Sequence, residues 1–292
     1  MAMRVPGGAA AAVFAVLAGC ALAAAQQPSG GEVEQTLGRI ASRVEEYYSR
    51  AQSILARETV RIERQQRDMS TVGRVRRLVY ELTIEWKPPS DDTQAGEANV
   101  VRQLVSVDGR PPKKGDDDAC MDPEPVTPEP MMMLLPTKQA DYAFTMAGSG
   151  RTDGRRALMV DYKARAKGKA EITWKETCVS VSLPGWSRGR VWVDPATHDV
   201  LRLDEQLVGM FEFPVPREKT YSGGPMALTV ERSDSSIRYQ TVSFRGPDET
   251  LMLPRSIETL SVWRNAPVPR VRVTQTFTDY RRFLGDSRIL PP

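Results

Sequence analysis

The sequence predicts a mainly β (α+β) protein, a single strongly curved antiparallel sheet with one N-terminal amphipathic helix packed on it. Three observations lead there. Apolar residues alternate with polar ones in one run after another from Ile54 onward. Turn signals separate these runs at near-regular spacing, the pattern of a strongly curved or closed antiparallel sheet. Only one segment, near the start, repeats its apolar residues every three or four positions, which argues against a doubly wound α/β fold.

The chain opens with an export signal. Arg4 gives a positive start, and Gly7 to Ala18 is an apolar run without charge, too short to span a bilayer, which takes about 20 residues. Two processing sites follow. Ala23-Ala24-Ala25 before Gln26 is the small-x-small pattern of ordinary cleavage, giving a signal peptide over 1–25. Leu17-Ala18-Gly19-Cys20 resembles a bacterial lipobox, in which the signal ends at Gly19 and Cys20 carries lipid. Either route exports the chain, to the periplasm, the exterior or an outer-membrane anchor, with no transmembrane span in the mature part. Cys120 and Cys178 remain after either cleavage, and an even pair in an oxidising compartment reads as a disulfide, the alternative being two separate buried thiols.

A linker over 26–31 leads into one domain over 32–292. Val33, Leu37, Ile40, Val44, Tyr47 and Ala51 form one stripe of a helix of about twenty residues, with Glu34, Arg39, Arg43 and Glu46 opposite. Leu78, Tyr80, Leu82, Ile84 and Trp86 then alternate with Glu81, Thr83 and Glu85 in a strand with one wet face. Further strands are expected over 99–107, 141–146, 157–163, 171–182, 190–194, 200–207, 227–232, 237–244 and 257–264. The last alternates Val271, Val273, Gln275 and Phe277 with Arg270, Arg272, Thr274 and Thr276. Two segments break the rhythm. Residues 87–97 form a polar linker, and 111–136 form a long loop that ends in Met131-Met132-Met133-Leu134-Leu135.

The composition excludes several chemistries. Forty basic residues nearly cancel 37 acidic ones, so nothing electrostatic favours nucleic acid. One His and three Cys leave too few parts for most metal sites or catalytic triads. His198 lies in Asp194-Pro195-Ala196-Thr197-His198-Asp199, where it is either a general base or, on the Asp-Pro signal, a hairpin-turn residue in the left-handed region. Asp116-Asp117-Asp118 offers clustered carboxylates to calcium but lacks the Gly and distal Glu of a built loop, and so reads as a solvated acidic segment. No G-x-S-x-G, P-loop or G-x-G-x-x-G occurs. No catalytic residue, metal site or cofactor is therefore expected. The Met run is the best candidate for an apolar ligand contact, since Met adapts to variable partners; otherwise it packs as a short helix or lid over the sheet.

Gly189-Arg190-Val191-Trp192-Val193-Asp194-Pro195 followed by Val200-Leu201-Arg202 resembles a recurrent hairpin of the exported lipoprotein-carrier superfamily (LolA/LolB-type and the related anti-sigma-factor regulators). Ala56-Arg57-Glu58, Val107-Asp108-Gly109-Arg110 and Tyr280-Arg281-Arg282-Phe283 are similar to motifs of uncharacterised exported acidobacterial proteins. The likeness runs over roughly 33–283. It implies a half-open β-barrel with a helix and a lid across it, whose inner face holds acyl chains. On that expectation the protein is a non-enzymatic binding protein for a lipid, a lipoprotein acyl chain or another apolar small molecule. Tyr80, Leu82, Ile84 and Trp86 would face the ligand together with Met131, Met132, Met133 and Leu134. The alternative is an envelope interaction or sensor protein with a filled sheet, engaging a protein partner through the 111–136 loop.

Overall fold

The computed structural model describes residues 30–51, 53–87, 97–116, 120, 123, 129–176, 178–220, 224–245 and 248–282, without the side chains of 30, 85–87, 97–99, 129 and 130. The signal, Cys20, Asp117, Asp118 and most of the polar linker lie outside them. Helix α1 spans Gly30–Arg50, beginning within the expected linker. Leu37, Ile40, Val44 and Ala51 of the expected stripe are buried and Val33 and Tyr47 half-buried, while Tyr48, which was not expected there, is buried beside them. Beyond the helix Ser53 takes a left-handed φ of 55°, and the Arg282 guanidinium donates to the Arg50 carbonyl, one of the orphan acceptors of a helix end.

Among the described residues thirteen strands follow: β1 Ile54–Gln65, β2 Thr71–Lys87, β3 Glu97–Val107, β4 Tyr142–Thr152, β5 Arg155–Ala164, β6 Glu171–Lys175, β7 Cys178–Ser182, β8 Ser187–Val193, β9 Val200–Leu207, β10 Phe211–Pro214, β11 Ala227–Phe244, β12 Glu249–Arg264 and β13 Arg270–Arg282. Their main sheet is antiparallel, in the order β3-β2-β1-β13-β12-β11-β9-β8-β5-β4, with β10 also paired to β11. It is strongly curved and does not close into a barrel. The first strand pairs with the last, Val60 opposite Gln275 and Ile62 opposite Val273. One face gathers Val60, Ile62, Leu78, Leu82, Val160, Val191, Val193, Leu203, Ile237 and Phe277 around the apolar stripe of α1 in one buried cluster.

Two expectations needed correction, one strand was not expected, and the short helix offered for the Met run is present. Residues 171–182 are not one strand but a separate hairpin, β6 with β7. The turn holds Glu176 at a φ of 53°, a position where no Gly or Asn announces it. Residues 227–244 form one strand, not two. The polar run Ser233 to Ser236 lies beyond the apolar core cluster, so it has no apolar side to keep alternation visible. Strand β10 carried no signal at four residues, yet it builds a second core in which Phe213, Leu228 and Val230 pack against Trp174 and Trp263. The 111–136 loop holds a 3-10 helix over Glu129–Leu134, and a short helix α2 follows over Pro136–Gln139.

Candidate functional site: the concave face and its lid

The structure brings most of the expected ligand residues together. Tyr80 and Leu82 stand on the core side of β2, and Met131, Met133 and Leu134 close over the same cluster, all buried. Met132 is half-buried against it. Ile84 packs one step along, beside Ala51, Ile54, Leu251 and Leu253. The side chain of Trp86 lies outside the described residues. These side chains fill space rather than line it. Beside them is an apolar pocket of only about 30 Å³ between Tyr47, Leu82, Ile84, Tyr239, Phe277 and Tyr280, room for about one water.

Beneath the lid lies a polar group that the sequence reading passed over. Glu58, fully buried on β1, accepts hydrogen bonds from Arg102 Nε and Nη2, both at 2.8 Å, and from Gln275 Nε2 at 2.8 Å. The Arg102 guanidinium also stacks over the Tyr80 ring at 3.7 Å, and its Nη1 donates to the Pro123 carbonyl of the loop. Parity held the clue. Glu58 sits in phase with Ala56 and Val60, and Gln275 with Val273 and Phe277, so each is polar on the apolar side of its strand. A buried charge survives only when paired and hydrogen-bonded.

The lid is held at several further points. Cys120 and Cys178 form a disulfide, Cα atoms 5.1 Å apart, tying the loop to the β6–β7 hairpin. Gln139 Nε2 donates to the Leu134 carbonyl at 2.7 Å. At the root of the loop, Asp116 accepts from both terminal nitrogens of Arg110, at 2.7 and 3.0 Å, and from the Lys113 N–H at 2.6 Å. The Arg110 guanidinium first, then the Lys113 amide, hold the Asp116 carboxyl down to about 2. On the helix side Arg43 Nη2 donates to Asp199 at 2.8 Å, anchoring α1 to the β8–β9 turn.

His198 belongs to that turn. Its φ is 61°, its amide donates to the Asp194 carbonyl, and the Asp194 carboxylate accepts from the Ala196 and Thr197 amides. Burial pushes the Asp194 carboxyl up, but those amides and Arg155 outweigh it and leave it below the usual carboxylate range. Among the described residues no three of His, Cys, Asp and Glu gather where they could hold a metal ion. No helix among them is long and apolar enough to cross a membrane.

No known family model matches the chain. No curated protein matches it in sequence. Solved structures do. A DUF1329 family protein of Desulfovibrio piger aligns at 11% identity over 87% of this chain and 95% of its own, with a TM-score of 0.41. A candidate outer membrane lipoprotein-sorting protein domain of Vibrio parahaemolyticus aligns at 12% over 87% and 95%, TM-score 0.37. A LolA superfamily protein of Nitrosomonas europaea aligns at 10% over 86% and 95%, TM-score 0.32. Identities this low pass no ligand and no residue role to this chain.

Proposed function

We propose that the protein is an exported, non-enzymatic binding protein that takes up an acyl chain or a similar apolar ligand on its concave face, and that the structure is its closed state. The observation that carries this is the lid. Met131, Met133 and Leu134 bury themselves on the apolar face, while the described part of the loop leading to them is fastened by polar contacts, among them the Pro123 carbonyl on Arg102 and Asp116 on Arg110, and by the disulfide. A methionine-rich segment on polar fastenings can be exchanged for another apolar chain without unfolding the sheet. Magnitudes fix the ligand's size. Displacing three buried lid side chains costs about 5–9 kcal/mol, while burying a chain of about 12 carbons returns roughly 10. Short chains therefore fail to open the lid and long ones succeed.

A second function is favoured by one observation, the pocket of only about 30 Å³. It is the filled-sheet interaction protein, acting on an envelope partner through the 111–136 loop. Titration with an environment-sensitive apolar dye separates the two. The carrier function predicts one saturable dye site per chain, displaced by a 16-carbon fatty acid and not by a 6-carbon one. It also predicts tighter dye binding in Met133→Glu, whose lid no longer competes for the face, with Met132→Glu as a milder half-buried control. Absence of a saturable site in the natively folded protein would favour the filled sheet.

A further inference from the structure

Alternation puts a second surface on the opposite face of the sheet. While Val160, Val191, Leu203 and Ile237 point into the core, their neighbours Asp161, Arg190, Trp192, Arg202, Asp204 and Arg238 line a groove of about 910 Å³. Its residues form cross-strand rows. In the middle row Asp161, Arg190, Asp204, Ser236 and Glu258 stand opposite one another on successive strands. That row is internally satisfied: Arg190 Nη2 donates to Asp161 at 2.9 Å, and Asp204 accepts from Ser236 at 2.8 Å and from Trp192 Nε1 at 3.0 Å.

The rows on either side each set two cations face to face. Lys163 stands directly opposite Arg188, and Arg202 directly opposite Arg238. Like charges in directly opposed positions destabilise a sheet. Arg202 is offset by Asp204 at 2.7 Å and Arg238 by Asp153 at 2.7 Å. Among the described residues neither Lys163 nor Arg188 has a carboxylate partner, and Arg188 reaches only the Gln206 amide oxygen at 3.5 Å. Seven basic side chains against five acidic ones line the groove.

We infer that this groove binds an extended acidic peptide segment of a partner protein, with one carboxylate between Lys163 and Arg188 and a second toward Arg202 and Arg238. The two cation pairs lie two rows and two strands apart, roughly 17 Å, the span of about five extended residues. A peptide fits the mixed lining better than the other anions do. Its carboxylates answer the cations, and its amides can donate to Asp161, Asp204 and Glu258. A dense polyanion would be repelled by those same carboxylates, and an acyl chain would have to lie across the charged middle row. The site uses none of the concave-face residues, so it stands or falls independently of the acyl-binding proposal.

The test is fluorescence anisotropy at low salt with the exported chain and a labelled ten-residue peptide bearing glutamates five apart on a Ser/Gly background. Saturable binding is expected, weakened at least tenfold in Lys163→Glu/Arg188→Glu and clearly weakened in the milder Lys163→Ser/Arg188→Ser. A control reversing Arg61 and Arg74, exposed on the other half of the sheet, should bind as the unaltered protein does. No saturable binding, equal binding of a lysine peptide, or equal loss in the control would overturn the proposal. Full displacement of the peptide by phosphatidylglycerol vesicles would overturn it too, assigning the groove to a membrane surface.

Discussion

Glu58 carries more of the account than any other side chain, since it is a buried carboxylate inside an apolar face. Replacing Arg102 by Met leaves that charge unpaired and should lower stability by about 3–5 kcal/mol in urea unfolding. The double change Glu58→Gln/Arg102→Met should cost less than the single one, and a larger loss in the double variant would contradict the pairing. Gly189 is the second such residue. A Cβ there would lie 2.0 Å from the Asp204 carbonyl and 2.6 Å from the Tyr162 hydroxyl, which donates to Glu205. Gly189→Ala should therefore destabilise by about 1–3 kcal/mol. Asp116 sets a pH dependence. Its folded-state pKa is depressed, so its contribution is complete above the unfolded value near 3.8 and disappears as pH falls toward about 2. Hydrogen-exchange protection at the loop root, residues 110–116, taken against the intrinsic rate at each pH, should fall through that window and hold steady above it. At this scale the sequence was half legible. The left-handed turn position of His198 follows from Asp-Pro, whereas parity alone marks Glu58 and Gln275, polar residues on the apolar side of their strands, and no motif names their partner.

Among the elements, α1 and β9 were readable because one has a full apolar stripe and the other lies between sharp turn signals. The β6–β7 hairpin was not readable, since apolar alternation resumes on both sides of a turn made at Glu176. Nor was β10, whose four residues are too few to show a period. The Cys120–Cys178 pairing did follow from cysteine count and compartment, and it joins two elements that the main sheet leaves apart. Breaking it with Cys120→Ser/Cys178→Ser frees a loop closed over 58 residues. On loop entropy alone that should cost about 4 kcal/mol. Because it is also a lid fastening, the variant should bind the apolar dye faster than the oxidised protein. Equal binding rates would mean that the disulfide is a staple and not a restraint on the lid.

For the whole molecule, periodicity foretold a strongly curved antiparallel sheet with one helix, and the structure has it. Strand order was not foretold. Pairing of the first strand with the last, and of β9 with β11 past β10, depends on long-range closure that leaves no mark in local alternation. Nor could period two distinguish a hollow sheet from a filled one. Tyr80 and Leu82 share the apolar face, and the helix and the lid already occupy it. The result is a sheet with two unlike faces, an apolar one under a fastened lid and a polar groove behind it. The measurement that tests the central claim most directly is native mass spectrometry of the protein exported to a bacterial periplasm, with solvent extraction of what it carries. One acyl-bearing molecule per chain, extractable as lipid with the disulfide intact, is the predicted result. A bare chain mass under gentle conditions, unchanged after incubation with a 16-carbon fatty acid, would contradict it.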